Sequence, residues 1–537
     1  MLTQRIALNI VFAALLAAVA LALPHEATAA DWCSNGVCQE WVAQYTSGNG
    51  NCYVADLATD GSGNVYVTGR CGFPAAPEDY ATVKYDSDGN EMWTARYDGP
   101  ASGSDFAYAL AVDGSGHVYV TGRSDGDGTG GDYATIKYDG DGNELWVARY
   151  NGPVSDNDSA QALAVDAGGN VYVTGGSHGE GTGRDYATIK YDGDGNELWV
   201  ARYDGPASDA DSPIAMGIDA SGNVYVTGDS TGDGADRDYA TIKYDSDGNE
   251  LWVARYDGPA EDSDSPTALA IDTSGNVYVT GLSRPYGTYV DYTTIKYDSN
   301  GNELWVAVHT EIRGGVAVAL AVGGSGDVYV TGSGNKAMDT DYTTVKYDSY
   351  GNERWVAYYD GPADYDIDNA VALAIDESDG IYVTGYSPGD GTAVDQDYAT
   401  VKYDSNGNEL WVARYDGPAS GYDSGHSLVV DGSYSVYVTG YSEGPDGIAY
   451  YGTLKYSQTP PTPTPAPTRT PGPTPSGVGG AVRMPPDSIA AESDARVEES
   501  GGAPGGARIA LAAAAVASAF VLLASGYYAR TRRERQR

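Results

Sequence analysis

The sequence predicts an all-β fold, a ring of eight four-stranded blades, and three observations carry that expectation. The first is composition: among 537 residues there are Gly 72 and Tyr 45 but only Phe 4 and Met 5. Glycine at that level without a triplet period excludes collagen and marks many turns, and Tyr and Val beside Gly and Asp favour short strands. The second is a tryptophan that recurs at Trp41, Trp93, Trp146, Trp199, Trp252, Trp305, Trp355 and Trp411, at intervals of 52, 53, 53, 53, 53, 50 and 56 residues. Periods of this size mark propellers or solenoids. The third is a pair of phrases. Val-Tyr-Val-Thr-Gly begins at Val65, Val118, Val171, Val224, Val277, Val328, Ile381 (Ile for Val) and Val436. Asp-Tyr-Ala-Thr-Ile-Lys-Tyr-Asp or a close variant starts at Asp79, Asp132, Asp185, Asp238, Asp291, Asp341 and Asp397, and Tyr451 to Tyr456 forms a degraded eighth copy.

Taken along the chain, residues 1–30 read as a secretory signal. Arg5 supplies the basic start, Ile6 to Leu23 the apolar stretch and Ala27-Thr28-Ala29 a small-residue cleavage site. Four cysteines follow, Cys33, Cys38, Cys52 and Cys71, an even number that in an exported chain predicts two disulfides. If Gly61 and Ser62 form the loop of the first hairpin, paired residues sum to 123, which sets Cys52 opposite Cys71. Cys33 and Cys38 are then left for a small local loop, a bridge from either to another blade being the alternative.

The repeats occupy 31–457. In one unit the first strand is read at Ala109 to Val112, apolar on both faces, and the turn Asp113-Gly114-Ser115-Gly116 leads to the second, Val118 to Thr121. A glycine-rich loop leads to the third, Tyr133 to Tyr138. The hairpin signal Asp139-Gly140-Asp141-Gly142-Asn143 then leads to the fourth, Leu145 to Tyr150. Strands apolar on both faces suit sheets sandwiched between neighbouring blades. Glu40 to Tyr45 matches a fourth strand alone, and the repeats end after a third strand near Tyr456, so the N-terminal strand is expected to complete the last blade and close the ring. Seven well-formed blades plus a poorer one is the alternative, the copy after Val436 being the most divergent.

Beyond the repeats, Thr459 to Pro475 alternates Pro and Thr, a polyproline II spacer reaching about 50 Å at roughly 3.1 Å per residue, and Ser476 to Ala507 is Gly-, Ala- and acid-rich. Together 458–507 read as a disordered stalk. Residues 508–529 read as a transmembrane helix, with Ile509 to Tyr528 as its apolar run, and 530–537 as a basic cytoplasmic tail carrying Arg530, Arg532, Arg533, Arg535 and Arg537. The expectation is a cell-surface, single-pass protein with an extracellular N-terminal domain, monomeric and held to the membrane by its C-terminal helix.

These residues carry a resemblance. Asp-x-x-Gly-Asn-Val-Tyr-Val-Thr-Gly, followed by Lys-Tyr-Asp and Gly-Asn-Glu-Leu-Trp, resembles the bacterial SBBP β-propeller repeat over about residues 38 to 456. The resemblance implies the propeller fold and export rather than an activity. Gly142-Asn143-Glu144-Leu145-Trp146 also resembles the tryptophan-docking motif of pyrroloquinoline-quinone propellers, which implies that each repeated Trp ties adjacent blades together. The vicinal cysteine pair found at the cofactor site of some of those dehydrogenases is missing here.

The charge narrows function. Lys+Arg 31 against Asp+Glu 75 gives 31 − 75 = −44, which argues against a nucleic-acid partner, because phosphate affinity comes from clustered cations. Gly-x-Ser-x-Gly around Ser124, Ser177, Ser230, Ser387 and Ser442 recurs at one place in five repeats, so it reads as turn chemistry rather than a nucleophile elbow. Lys84, Lys137, Lys190, Lys243, Lys296, Lys346, Lys402 and Lys455 are expected to ion-pair with a neighbouring Asp with their stems packed on Tyr. His117, His178, His309 and His426 lack zinc spacing. His309 stands out because Val308 to Arg313 replaces the usual Arg-Tyr-Asp-Gly-Pro. Asp139-x-Asp141-x-Asn143, Asp209-x-Asp211 and Asp262-x-Asp264 offer oxygens at alternate positions, and structural calcium is the cofactor they raise beside plain turn formation.

No catalytic, cofactor or metal residue follows from the sequence. The expected function is an extracellular binding or scaffolding module for a polymer or protein. A polysaccharide lyase or hydrolase is second and a quinone-dependent dehydrogenase third. The divergent units Val308 to Asp341 and Asp423 to Tyr451 are where a single site is expected.

Overall fold

The computed structural model describes residues 32–458 except 35, 49, 74–75, 233–235, 261, 285–288, 311–312, 337–338, 364–366, 390–395 and 420. The signal, stalk, transmembrane helix and tail expected from the sequence lie outside them. Every regular element described is a strand, and no helix among the described residues is long and apolar enough to cross a membrane. The strands form eight antiparallel sheets. Blades 1 to 7 span 52–97, 105–150, 159–203, 212–256, 265–309, 313–359 and 369–415, and blade 8 joins 423–458 to the N-terminal strands.

Strands β1 (Trp32–Ser34) and β2 (Val37–Tyr45) form a hairpin clipped by the Cys33–Cys38 disulfide. β2 pairs with the last strand, Ala449–Gln458, through partners such as Val42 with Leu454, which closes the ring by hydrogen bonds between the two ends of the chain. That last strand runs through Gln458, one residue past the boundary read from the sequence. In blade 1, β3 (Cys52–Thr59) and β4 (Val65–Phe73) set Cys52 opposite Cys71, and the two are disulfide-bonded. The hairpin loop is longer than Gly61-Ser62: Asp60 N donates to Asn64 O, and Thr59 pairs with Val65. Paired residues therefore sum to 124 near the turn. A β-bulge at Ala55 removes one residue and brings the sum to 123 at the cysteines. The strands elsewhere are also longer than expected, as in blade 2, where they run Asp105–Val112, Val118–Gly126, Gly130–Tyr138 and Glu144–Tyr150.

There is no single core. The buried apolar side chains form eight clusters, each joining neighbouring blades; Tyr119 and Tyr133 of blade 2, for example, pack with Leu163, Val171 and Val173 of blade 3. This is why the inner strands are apolar on both faces.

The junctions are fixed by two donors. Trp93 Nε1 and Lys84 Nζ, cross-strand partners in blade 1, donate to one acceptor, Gly140 O in the hairpin turn of blade 2, at 3.0 and 2.9 Å. The pattern recurs from Trp146 and Lys137 on Gly193 O to Trp355 and Lys346 on Ser405 O. The expected Lys–Asp pairs are accordingly absent from most blades: a turn carbonyl takes the ammonium, whose other side rests on a Tyr ring, as Lys137 does at 5.1 Å from the centroid of Tyr119. Only Lys346 and Lys402 also reach an acid among the described residues, Asp327 at 2.9 Å and Asp376 at 3.7 Å. The turn glycine serves the same contact: Gly142 has φ +84°, and a Cβ there would stand 2.7 Å from the Trp93 ring.

Blade 8 has no such hairpin, because its third and fourth strands come from opposite ends of the chain. Gln458 supplies the missing acceptor: its Oε1 receives Lys402 Nζ at 2.7 Å and Trp411 Nε1 at 3.2 Å, while its Nε2 donates to Tyr382 Oη and Tyr434 O. Replacing it leaves the buried Trp411 N–H without an acceptor and the buried Lys402 ammonium with Asp376 alone, so Gln458→Ala is expected to cost about 1–3 kcal/mol in denaturant unfolding. Gln458→Glu, which keeps the acceptor, recovers part of that loss.

Candidate functional site

Antiparallel blades give the ring two chemically different ends. Turns between first and second strands, and between third and fourth, gather at one end. The loops between second and third strands, and the connections between blades, gather at the other, the mouth.

At the turn end the aspartates cap their own turns. Asp139 Oδ1 accepts from Asp141 N and Asn143 N at 2.9 Å each, and Asn143 Nδ2 donates to Oδ2. Those bonds, the Asn143 amide first, hold the Asp139 carboxyl below the usual range, and the same holds for Asp192, Asp245 and Asp298. The alternate-oxygen pattern is thus turn chemistry. His117 joins such a turn through Nδ1 to Asp113 Oδ2 at 2.9 Å.

At the mouth the Gly-x-Ser-x-Gly serines end second strands. Arg149 Nη1 donates to Ser124 Oγ at 2.6 Å and to Tyr97 Oη of blade 1 at 2.9 Å, while Nη2 donates to Ser124 O and Asp132 Oδ2. Arg202, Arg255 and Arg414 repeat this on Ser177, Ser230 and Ser387. These four hydroxyls are fixed by arginines that also reach a tyrosine of the preceding blade, so the four serines serve as structural ties between blades; at Ser442 of blade 8 the arginine's position is held by Gln44. Val308 removes the arginine from blade 5, where His309 Nδ1 instead lies 2.9 Å from Glu353 Oε2. His178 lies 3.0 Å from Asn157 O, and His426 Nδ1 is buried without a partner. The four histidines are not brought together. Asp209 and Asp262 each cap the next residue, and Asp211 accepts from Gly205 N and Thr231 N.

What the mouth does bring together is a band of aromatic and arginine side chains from blades 7, 8, 1, 2 and 3. Tyr386 lies 6.2 Å from Tyr422, Tyr422 5.4 Å from Tyr441, and Tyr441 stacks on Tyr53 at 5.9 Å. Arg70 then sits 4.9 Å from the ring centroids of both Tyr53 and Phe106, and Arg123 6.0 Å from that of Phe106. The band runs into a groove of about 460 Å³ lined by Tyr108, Arg123, Asn157, Ser159, Gln161 and Arg184. Tyr108 and Gln161 are the bulge residues of their inner strands, left out of the ladder and so free to face the groove.

The groove's arginines are placed reciprocally. On blade 2 Arg123, from the second strand, lies over Gly131 of the third, where a Cβ would stand 2.0 Å from Nε. On blade 3 the arrangement is inverted, Arg184 of the third strand lying over Gly176 of the second, where a Cβ would stand 1.9 Å from Nε. Blades 1 and 4 place acids at the corresponding positions, pairing Arg70 with Glu78 at 3.2 Å and Arg237 with Asp229 at 3.6 Å. Arg123 pairs with Asp125 at 2.9 Å. Arg184 makes no ion pair among the described residues, and its Nε, like that of Arg123, is buried without a hydrogen-bond partner. The site therefore lies on blades 2 and 3 and the band beside them, and only its blade 8 end falls in a unit marked as divergent.

Beneath this surface lie clusters of carboxylates, each with two buried members and one exposed. Asp79, Asp98 and Asp105 bring oxygens within 4.8 Å of one another, as do Asp185, Asp204 and Asp211. Burial pushes Asp79 up to about 6 against the pull of Arg96, and raises Asp211 and Asp264. Asp56 is the extreme case. It occupies a position that is alanine in most blades, accepts from Leu57 N at 2.8 Å and Leu110 N at 2.9 Å, and burial lifts it to about 7.

Three segments, 40–70, 95–128 and 254–283, match the family model described as SBBP, beta-propeller repeat, so the chain carries repeats of that type. No curated protein matches it. Among solved structures, polysaccharide lyase Uly1 is 11% identical, covering 78% of this chain and 99% of that one with a TM-score of 0.42. The β-propeller domain of the Trilobed protease from Pyrococcus furiosus is 10% identical, covering 67% and 98%, with a TM-score of 0.39. A protein of unknown function from Dyadobacter fermentans is 11% identical, covering 79% and 100%, with a TM-score of 0.38.

The two populations of aspartate set the pH dependence. Acids raised in the folded state, Asp56 to about 7 and Asp79 and Asp423 to about 6, contribute stability that is complete below their unfolded value of 3.8 and is lost as pH rises through 6 to 7. Turn acids, of which Asp348 is held at about 2, contribute stability that is lost as pH falls below 3.8. Thermal melting should therefore be highest near pH 4 and fall steadily towards pH 8. Asp56→Asn should stabilise the protein at pH 8 by roughly 1–3 kcal/mol, with the gain vanishing near pH 4.

Proposed function

We propose that this protein is an exported, membrane-tethered binding module whose ligand face is the mouth of the propeller. The observation that carries the reading is the band from Tyr386 to Arg184. Eight blades share nearly every structural residue, yet at a few positions around the mouth they differ, and the differing residues form a continuous, partly exposed surface ending in a groove. A repeat that served architecture alone has no need of that divergence. Export is supported by the signal-like first thirty residues and by two disulfides, which persist in oxidising compartments. The apolar run before the arginine-rich C-terminus supplies the tether.

Protease added to intact cells should remove the propeller while a tag at the C-terminus stays protected; a protected propeller contradicts the exported orientation. On a panel of surface polymers and proteins the full-length chain should retain at least one. The pair Tyr53→Ala and Tyr441→Ala should weaken that retention about tenfold, the loss of some 1.4 kcal/mol, without changing the melting temperature. Asp141→Asn, at the opposite end, should leave it unchanged.

A further inference from the structure

We infer that the mouth band and its groove bind an acidic polysaccharide, a sugar chain bearing carboxylate or sulfate groups. This rests on the mouth being the ligand face and goes further, to the chemistry of what lies there.

The argument begins with the cations. In a chain of net charge −44 a guanidinium without a carboxylate is an exception. The repeated lysines are consumed by turn carbonyls and the repeated arginines by Ser and Asp at the junctions. Arg184 belongs to neither set. It has no ion pair among the described residues, its Nε is buried and unpartnered, and Gly176 leaves room for it to lie flat. Arg123 carries a second unpartnered Nε into the same groove. Planar guanidiniums with free N–H groups match carboxylate and sulfate oxygens. The protein's overall charge does not forbid this, because at physiological ionic strength charges beyond about 8 Å are screened and the contacts in the groove decide.

The rest of the surface selects a sugar. Tyr422, Tyr441, Tyr53 and Phe106 follow one another along the band, Tyr422 exposed and the others partly so, with Tyr422 5.4 Å from Tyr441 and Tyr441 5.9 Å from Tyr53, an apolar aromatic surface against which the C–H faces of pyranose rings pack. Asn157 and Gln161 offer amide donors and acceptors suited to hydroxyl groups. A peptide that binds by strand addition needs a free strand edge, and at the rim those edges are the fourth strands, away from the aromatic and arginine side chains of the band.

The test uses the full-length chain in detergent against immobilised polygalacturonate, its methyl ester, a sulfated galactan, a neutral glucan and poly-glutamate. Retention on polygalacturonate or the sulfated galactan, weakened by salt and about tenfold by Arg184→Gln at unchanged melting temperature, supports the inference, and the two polymers separate carboxylate from sulfate. Equal retention on the ester or glucan, lost in Tyr53→Ala/Tyr441→Ala, leaves the mouth as a binding face but overturns the acidic class. Equal retention on poly-glutamate shows that charge alone is read and overturns the sugar. Retention on none of the five overturns the inference, and it leaves the binding reading to be decided by proteins on the wider panel.

Discussion

One carbonyl oxygen per junction, receiving both a tryptophan N–H and a lysine ammonium from the neighbouring blade, sets the geometry of the ring. Lys84 and Trp93 are cross-strand partners, so their donors leave the blade side by side and require the neighbour's turn to present Gly140 O between them. That requirement explains much of the repeat. The turn must be capped by its own Asp and Asn so that the carbonyl points outward, and its glycine must be bare because the indole covers it. Each ammonium must also lie over a Tyr ring. Where chain connectivity removes the turn, at blade 8, a side-chain amide takes over the same two bonds, which indicates how little freedom the junction allows.

The same constraint separates what the sequence displays from what it hides. The blade count, the closing strand and the two cysteine pairs were legible because each depends on residues that recur at a fixed period or sit at a defined offset from the turn. The lysines were misjudged because an ion pair and a bond to a carbonyl look alike in sequence: both call for a cation at a fixed position. The cysteine register came out right through two compensating features, a longer turn and a bulge at Ala55, neither of which pattern alone reveals.

The proposed binding surface was hidden for a different reason. Its residues sit inside the most regular part of the repeat. The position directly after each Val-Tyr-Val-Thr-Gly holds Arg70, Arg123, Gly176, Asp229, Leu282, Ser333, Tyr386 and Tyr441 in turn. A search for divergent stretches overlooks single variable positions flanked by constant ones, yet these project from the strand ends at the mouth. The bulge on the inner strand adds another, with Tyr108 and Gln161 unpaired on adjacent blades. Reciprocal substitution was the sequence signal available: arginine with glycine on blade 2, glycine with arginine on blade 3, arginine with an acid on blades 1 and 4. Only the strand register shows that the members of each pair are diagonal neighbours on adjacent strands.

Variation is confined to the mouth by the physics of the other end. Every turn between third and fourth strands there serves as acceptor for the preceding blade, so a change in Asp139, Gly142 or Asn143 is transmitted to Trp93 and Lys84 and loosens a junction. At the mouth neighbouring blades are linked through main-chain bonds such as Asp158 N to Gly131 O, which do not depend on side-chain identity. The fixed elements there, Ser124 with Arg149 and Asp132, lie at the strand ends below the surface and tie blades together without using the outermost side chains. A side chain such as Arg70, Tyr441 or Arg184 can therefore change without disturbing a seam. Constancy at one end and freedom at the other follow from which carbonyls the tryptophans need, and the face left free is the one on which eight similar blades together make a single, unrepeated surface.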